Sequence, residues 1–339
     1  MHHLIKSTIL SFSIALTALV SASAQEKRMA VVEFSTSYLR LQPDYESPLE
    51  TQELMGTVVE IVGESGYWRE VQTPQPYKAW CTDQGLVEMS AEELKAYEEA
   101  PKVMFTGLYG HVHMWPSDNA DTICDLVGGD MMRYVSRKGK WTMVMLPSGK
   151  TGYVRTKLLK KHEGFMSIAM GEGSAESISP EVTEAVIAQA EKLLGVPYLW
   201  GGMSAKGVDC SGLVRISHIM NGILLPRNAS QQIKCGDRVA MQVDPSYHED
   251  GSRQNPDGTY SEAFIGQMKE RVMNLKRGDL VYFGTPATAE KPMRVTHVGI
   301  YLGDNRIIHS SHRVRINSLI PGDADYYENA HRLIAATRL

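Results

Sequence analysis

The chain has 339 residues, 43% of them hydrophobic and 22% charged, with a net charge of −4. That length allows two or three domains, and that balance supports packed cores rather than disorder. A mildly acidic chain with no long basic stretch does not fit a nucleic-acid binder.

Residues 1–24 read as a signal peptide. Lys6 supplies the positive start, Ile9 to Val20 the apolar run, and Ala22-Ser23-Ala24 the small-residue cleavage pattern. The other reading, a membrane anchor, needs ~20 apolar residues, more than this run supplies. No later stretch is longer and equally apolar. The expected product is therefore exported, periplasmic or extracellular, with no membrane span once the signal is removed. Four cysteines remain: Cys81, Cys124, Cys210 and Cys235. An even number permits two disulfides in an oxidising compartment. No C-x-x-C occurs, so the spacing is not that of a zinc site, and any disulfide pairing stays open.

The first half repeats itself. YLRLQP (Tyr38–Pro43), GTVVEIVGESGYWREV (Gly56–Val71) and AWCTDQGL (Ala79–Leu86) return as HVHMWP (His111–Pro116), GDMMRYVSRKGKWTMV (Gly129–Val144) and GYVRTKLL (Gly152–Leu159), always 73 positions on. A constant offset marks a duplicated unit. Alternating apolar residues around Gly63–Gly66, and around Ser136–Gly139 in the second copy, predict hairpins within two small β-barrels. Trp68, Trp80, Trp141 and Tyr153 are expected in cores or grooves. The two units, 29–89 and 102–162, resemble bacterial SH3-like domains. The resemblance implies wall-peptide binding or shaping of a neighbouring site, against the plainer reading of a spacer. Between them, Ser90 with Glu93 three residues on forms a capping box, and Pro101 stops a short helix, a connector over 90–101. A Gly/Ser-rich linker spans 163–180, with a boundary near Ser174.

The last domain, 181–339, opens with a helix on which Val182, Val186, Ala190 and Leu193 share a face, ended by Gly195-Val196-Pro197. After the loop Tyr198–Gly202, Leu213, Val214, Ile216, Ile219 and Met220 mark a second helix, with Cys210 at its N-terminus. The partial positive charge there favours a thiolate, which is the nucleophilic form. Downstream, RGDLVYFG reads as a strand, and THVGIYLGDNRIIHSS as two strands about Gly303-Asp304-Asn305. A three-residue turn pairs Leu302 with Arg306, sets His309 opposite Gly299, and brings His309 to the face of His297. A two-residue turn would send His309 to the other face. One histidine would serve Cys210 as base and the other would orient it. A zinc site made by Cys210, His297 and His309 is the competing arrangement.

PYLWGG, GVDCSGLV, LPRNASQQ, RGDLVYF and THVGIYLGDNRIIHSS, in this order, resemble the NlpC/p60 cysteine peptidases of bacterial cell walls. The resemblance implies an α+β, papain-like catalytic domain with helices packed on an antiparallel sheet, preceded by two small SH3-like β-barrels. It implies Cys210 as nucleophile, His297 as general base, His309 as third polar residue and Tyr198 as an oxyanion donor, with no cofactor and no metal. The whole architecture resembles the γ-D-glutamyl-L-diamino acid endopeptidases of murein-peptide recycling. These take L-Ala-γ-D-Glu-diamino acid peptides with a free N-terminal alanine, the diamino acid being meso-diaminopimelate or L-Lys. By that resemblance Asp209, Ser211 and Ser230 help bind the substrate, together with a tyrosine and an acid from the barrels, for which Tyr109 and Asp83 are candidates. Asp209 could instead cap the helix. The alternatives are an endopeptidase on intact peptidoglycan and a non-catalytic wall-binding protein. The segment Ile233 to Arg271 departs from short family members; its polar, Gly/Pro-containing character suggests a substrate-side loop or hairpin, with His248 solvated and Cys235 buried.

Overall fold

The structure is a computed structural model and describes residues 27–74, 77–168, 170–171, 178–242 and 253–339. The signal segment 1–24, the boundary near Ser174 and His248 lie outside the described residues.

Two β-units come first. The strands of the first are β1 (Arg28–Val32), β2 (Thr36–Arg40), β3 (Leu49–Leu54), β4 (Val58–Ser65), β5 (Trp68–Gln72), β6 (Lys78–Thr82) and β7 (Leu86–Met89). Helix α1 (Ala91–Glu99) follows, with the expected capping box between Ser90 and Glu93. The second unit holds β8 (Lys102–Phe105), β9 (Tyr109–His113), β10 (Thr122–Val127), β11 (Met131–Lys138), β12 (Trp141–Met145), β13 (Thr151–Arg155) and β14 (Leu159–His162). The sheets have the same order, β3-β2-β6-β5-β4-β1-β7 and β10-β9-β13-β12-β11-β8-β14. The duplication read from the sequence is therefore a duplication of topology. Each unit buries its own apolar cluster, Val32, Leu39, Val59 and Val71 in one, Phe105, Val112, Leu126 and Val144 in the other. The central hairpins are tighter than expected. Strand β4 runs on through Gly63–Ser65, and Ser65 pairs with Trp68. Gly66 and its counterpart Gly139 make the reversal at φ 59° and 60°, which a side chain would resist.

The second half begins within the expected linker. Strand β15 (Met166–Ser167) pairs in parallel with β18 (Ile223–Leu224), tying that segment to the domain it precedes. Helix α2 (Pro180–Lys192) is capped by Ser179. The short pair β16 (Met203–Ser204) and β17 (Gly207–Val208) leads into α3 (Cys210–Ile219), and α4 (Ala229–Gln232) follows β18. Then come β19 (Asp237–Arg238), α5 (Glu262–Val272), β20 (Leu280–Thr285), β21 (Arg294–Gly303), β22 (Arg306–Ser311), β23 (Arg313–Ser318) and β24 (Leu333–Arg338). These strands form one antiparallel sheet, β19-β24-β20-β21-β22-β23.

Period-2 alternation divides that sheet's side chains between two cores. Leu280, Tyr282, Val298, Ile300 and Ile308 pack with α2 and α3. Val281, Phe283, Tyr301 and Ile307 pack with Phe264, Met268 and Val272 of α5. The described part of the 233–271 segment is thus not the expected substrate-side loop: its last third is a helix that covers the sheet face opposite α3. Cys235 is buried. All four cysteines are free. Among the described residues no helix is long and apolar enough to cross a membrane.

Candidate active site

Helix α3 is buried almost all round, which fixes the position of its first residue, Cys210. Asp209 is its N-cap and accepts from the Gly212 N–H at 2.6 Å. The same carboxylate accepts from the Gly201 N–H at 3.0 Å and pairs with Arg227, Nη2 to Oδ2 at 2.6 Å and Nη1 to Oδ1 at 3.1 Å. Ser211 Oγ donates to Asp209 Oδ1 and accepts from Arg227 Nη1 at 3.0 Å. Of the two readings of Asp209, the capping one is realised, and its charge is already matched by a buried guanidinium. Gly212 permits this packing: a Cβ there would stand 2.0 Å from the Gly202 carbonyl oxygen.

The first β-unit completes the network. Thr51 Oγ1 accepts from Arg227 Nε at 2.9 Å, Gln52 Oε1 accepts from the Met203 N–H at 2.8 Å, and Tyr77 bonds Asn228. Glu53 lies 3.8 Å from Arg215, both side chains buried. Strand β3 is therefore a wall of the second half's core as well as part of its own unit.

His297 and His309 share a face, as the sequence suggested, but by another route. Asp304 and Asn305, at φ 49° and 59°, make a two-residue turn with Gly303 opposite Arg306. Alone, that turn would have sent His309 to the wrong face. A bulge at Leu302 adds the missing residue, and from Tyr301–Ile307 onward the register is the expected one. His297 Nε2 and His309 Nδ1 lie 2.7 Å apart, spending those nitrogens on each other rather than on a shared ion. His309 Nε2 meets Asn317 Oδ1 at 3.0 Å, and Asn317 Nδ2 donates to the Asp325 carbonyl at 2.6 Å. The ring of Tyr327 packs edge-on against His309, centroids 4.5 Å apart.

Cys210 is placed by the packing of α3 on β21 and β22. Tyr301 N–H donates toward β20, to the Asp279 carbonyl, so the even-numbered N–H groups of β21 face β22. Strands β21 and β22 pair from Ile300–Ile308 to the turn. Beyond that pairing, the Val298 N–H favours the ionised form of the Cys210 thiol, and Cys210 packs against the core cluster that includes Val298. The thiol thus stands where the sheet opens, beside the residue that follows His297. His297 Nδ1 is the nitrogen left for it.

Burial opposes the ionisation expected from the sequence. Burial, and secondarily the Asp209 charge, push the Cys210 thiol up to about 12; the N–H groups of Val298 and Ser211 and the Arg227 charge oppose this without prevailing. Burial, then His309, pushes His297 down to about 3. Desolvation thus favours the neutral form of both groups and opposes the helix terminus. Tyr198 is half-buried, and burial followed by the nearby Cys210 holds its phenol at about 12, a proton donor at neutral pH.

The remaining candidates fall elsewhere. Ser230 is exposed on α4, two residues from Asn228, which Tyr77 touches. Tyr109 is exposed and packs on His111. It pairs with Val127, and the adjoining Gly128 abuts Met220, just past the far end of α3. Ten residues of helix, about 15 Å, separate that end from Cys210. Asp83 pairs with Arg69 at 3.4 Å, at the end of β6 opposite Tyr77. The contacts of both lie within their own β-units. Arg227, Asn317 and Tyr327 are the residues that sequence reasoning passed over. Arg227 had a local signal, a lone cation after the apolar Ile223-Leu224-Leu225-Pro226; the other two depend on cross-strand register.

A part-buried helix-start thiol and two linked histidines on the antiparallel sheet that the helix packs against are the arrangement of a thiol peptidase. Residues 195–331 match the model of the NlpC/P60 family, so the second half carries an NlpC/P60 cysteine peptidase domain. The chain is 26% identical over 305 residues to a γ-D-glutamyl-L-lysine dipeptidyl-peptidase of Bacillus cereus, covering 84% of this chain and 75% of that one. It is 26% identical over 299 residues to dipeptidyl-peptidase 6 of Lysinibacillus sphaericus, covering 86% and 91%. The crystal structure of an NlpC/P60 family protein from Bacillus cereus superposes with a TM-score of 0.65 at 22% identity, over 91% of this chain and 99% of that one. The fold likeness therefore extends over the β-units.

Proposed function

We propose that the chain hydrolyses the γ-D-glutamyl-L-diamino acid bond of murein peptides carrying a free N-terminal L-Ala, outside the cytoplasm, in the recycling of wall peptides. The observation that carries this reading is the position of the first β-unit. It builds into the nucleophile's own support through Thr51, Gln52 and Glu53, as expected of a unit that limits the cleft rather than one that tethers the enzyme. Relatives named for dipeptidyl-peptidase activity match across both halves, which supports the same reading. We take both β-units as SH3-like.

In this mechanism His297 Nδ1 removes the Cys210 proton as the sulfur attacks the γ-glutamyl carbonyl. The Cys210 N–H and the Tyr198 hydroxyl stabilise the oxyanion. The imidazolium returns the proton to the leaving amine of the diamino acid, and the C–N bond breaks. Water, deprotonated by His297, then hydrolyses the thioester and frees the thiol. Starting from neutral partners, the proton transfer is part of the chemical step. The test is mass spectrometry of L-Ala-γ-D-Glu-diaminopimelate and its N-acetyl form after incubation with the protein. Cleavage confined to the free amine is expected, and Cys210→Ala abolishes it. Equal cleavage of both peptides would sink the free-peptide reading in favour of an endopeptidase on intact wall, and binding without cleavage would favour a wall-binding protein.

A further inference from the structure

We propose that Asn317 is a positioning residue that sets the tautomers of the histidine pair, holding His297 Nδ1 free of a proton. The inference rests on the proposed role of His297 as base.

The argument runs from a backbone carbonyl inward. The Asp325 carbonyl can only accept, and it lies 2.6 Å from Asn317 Nδ2. That end of the side chain is therefore the amide NH2, and the opposite end, facing His309, is the oxygen. An amide oxygen can only accept, so His309 Nε2, 3.0 Å away, carries a hydrogen. A neutral imidazole has one N–H, which leaves His309 Nδ1 as a lone pair. His297 Nε2, 2.7 Å from that lone pair, must then be the donor. Its single hydrogen is used, and His297 Nδ1 is the basic nitrogen. Reversing the amide would place NH2 against a lone pair of His309 and oxygen against the Asp325 carbonyl. That arrangement would put the second hydrogen of the pair on His297 Nδ1, where it could not accept the thiol proton.

The anchor is built to hold. Asn317 is 8% exposed and His309 is fully buried, so water does not compete for these bonds. The Asp325 carbonyl is fixed from several sides. It accepts from the Ser318 N–H at 3.1 Å. The Asp325 side chain pairs with Arg306. Tyr327, two residues on, returns its N–H to the Ser318 carbonyl at 2.8 Å and lays its ring on His309. Burial keeps both imidazoles neutral at pH 7, so the choice of tautomer, not of charge, decides whether the base is ready. An orienting group that selects the histidine tautomer carries large weight in related acid–base triads.

The test reads the tautomers directly. In histidine-15N-labelled protein at pH 7, ring-nitrogen shifts should show N–H at Nε2 and a bare Nδ1 for both His297 and His309, with signals assigned from His297→Gln and His309→Gln variants. A hydrogen on Nδ1 of either residue in the wild type overturns the proposal. Asn317→Leu keeps the bulk and removes the acceptor. It should mix the tautomers and lower kcat by tenfold or more, about 1.4 kcal/mol, with KM little changed. Asn317→Asp keeps an acceptor against His309 but loses the donor to the Asp325 carbonyl; it should lower thermal stability and still preserve both tautomers. If Asn317→Leu loses activity with its tautomers intact, or Asn317→Asp mixes the tautomers as Asn317→Leu does, Asn317 is only structural. The spectra need no substrate, so they stand apart from the peptide assay that tests the function itself.

Discussion

Replacing Asp209 by asparagine separates two jobs of one carboxylate. Asn caps a helix about as well as Asp, so the bond to the Gly212 N–H survives. The charge opposite Arg227 does not survive. That guanidinium is buried, 2.6 Å from Asp209 Oδ2, and stripping one partner from such a pair costs about 3–5 kcal/mol. Asp209→Ala should cost about 1 kcal/mol more, the value of the cap. Asp209→Asn combined with Arg227→Met should recover part of the loss, because no charge is then left stranded, although the bonds to Thr51 and Ser211 are gone. Urea unfolding of wild type, Asp209→Asn, Arg227→Met and the double variant gives the coupling directly. The reasoning fails if Asp209→Asn stays within about 1 kcal/mol of wild type while KM rises for free-amine peptides and not for blocked ones. Asp209 would then belong to the substrate rather than to the frame.

Alkylation of Cys210 by iodoacetamide in the free protein should keep rising from pH 7 to 10, since a thiol held at about 12 gains thiolate about tenfold per pH unit. A preformed thiolate–imidazolium pair would instead plateau from mildly acid pH upward. Thr51→Val leaves the buried Arg227 Nε–H without its acceptor and should destabilise the protein by about 1–3 kcal/mol and lower kcat/KM, although Thr51 belongs to the first β-unit; an unchanged unfolding midpoint would contradict this. Burial holds His218 at about 4 against an ordinary 6.5. The unfolded chain therefore binds the extra proton first, so this residue's contribution is whole above pH 6.5 and is lost as pH falls toward 4. That loss amounts to about 3 kcal/mol, and His218→Gln should flatten the acid slope of stability by that amount.

Features that depend on local pattern were legible in the chain. The 73-residue offset, the Ser90 capping box and the helix beginning at Cys210 follow from periodicity and end signals a few residues long. The site's support was not, because it is assembled across distance: Arg227 reaches back 176 residues to Thr51, and Asn317 reaches His309 only through the β22–β23 register. The desolvation that opposes ionisation of the thiol was illegible for the same reason. A helix terminus is visible in sequence, while the burial that opposes it comes from α3, β21 and their neighbours together. Tyr109 and Asp83 were chosen by residue type, which carries no information about which face or end of a unit they occupy. Helix α5 is a different failure. Ser261 and the spacing Phe264, Met268, Val272 announced it, but it was grouped with the polar stretch ahead of it.

The hairpin carrying both histidines works by parity. A two-residue tip and a one-residue bulge at Leu302 each invert the alternation of side chains, and the two inversions cancel. A deletion or insertion of one residue anywhere between Gly299 and His309 would leave a single inversion and turn His309 out of the row, even if every strand still formed. Two such changes together could restore it. Length changes at this tip should therefore be inherited in pairs, so that the residue count between the histidines, more than the identity of the residues at the tip, is what selection guards.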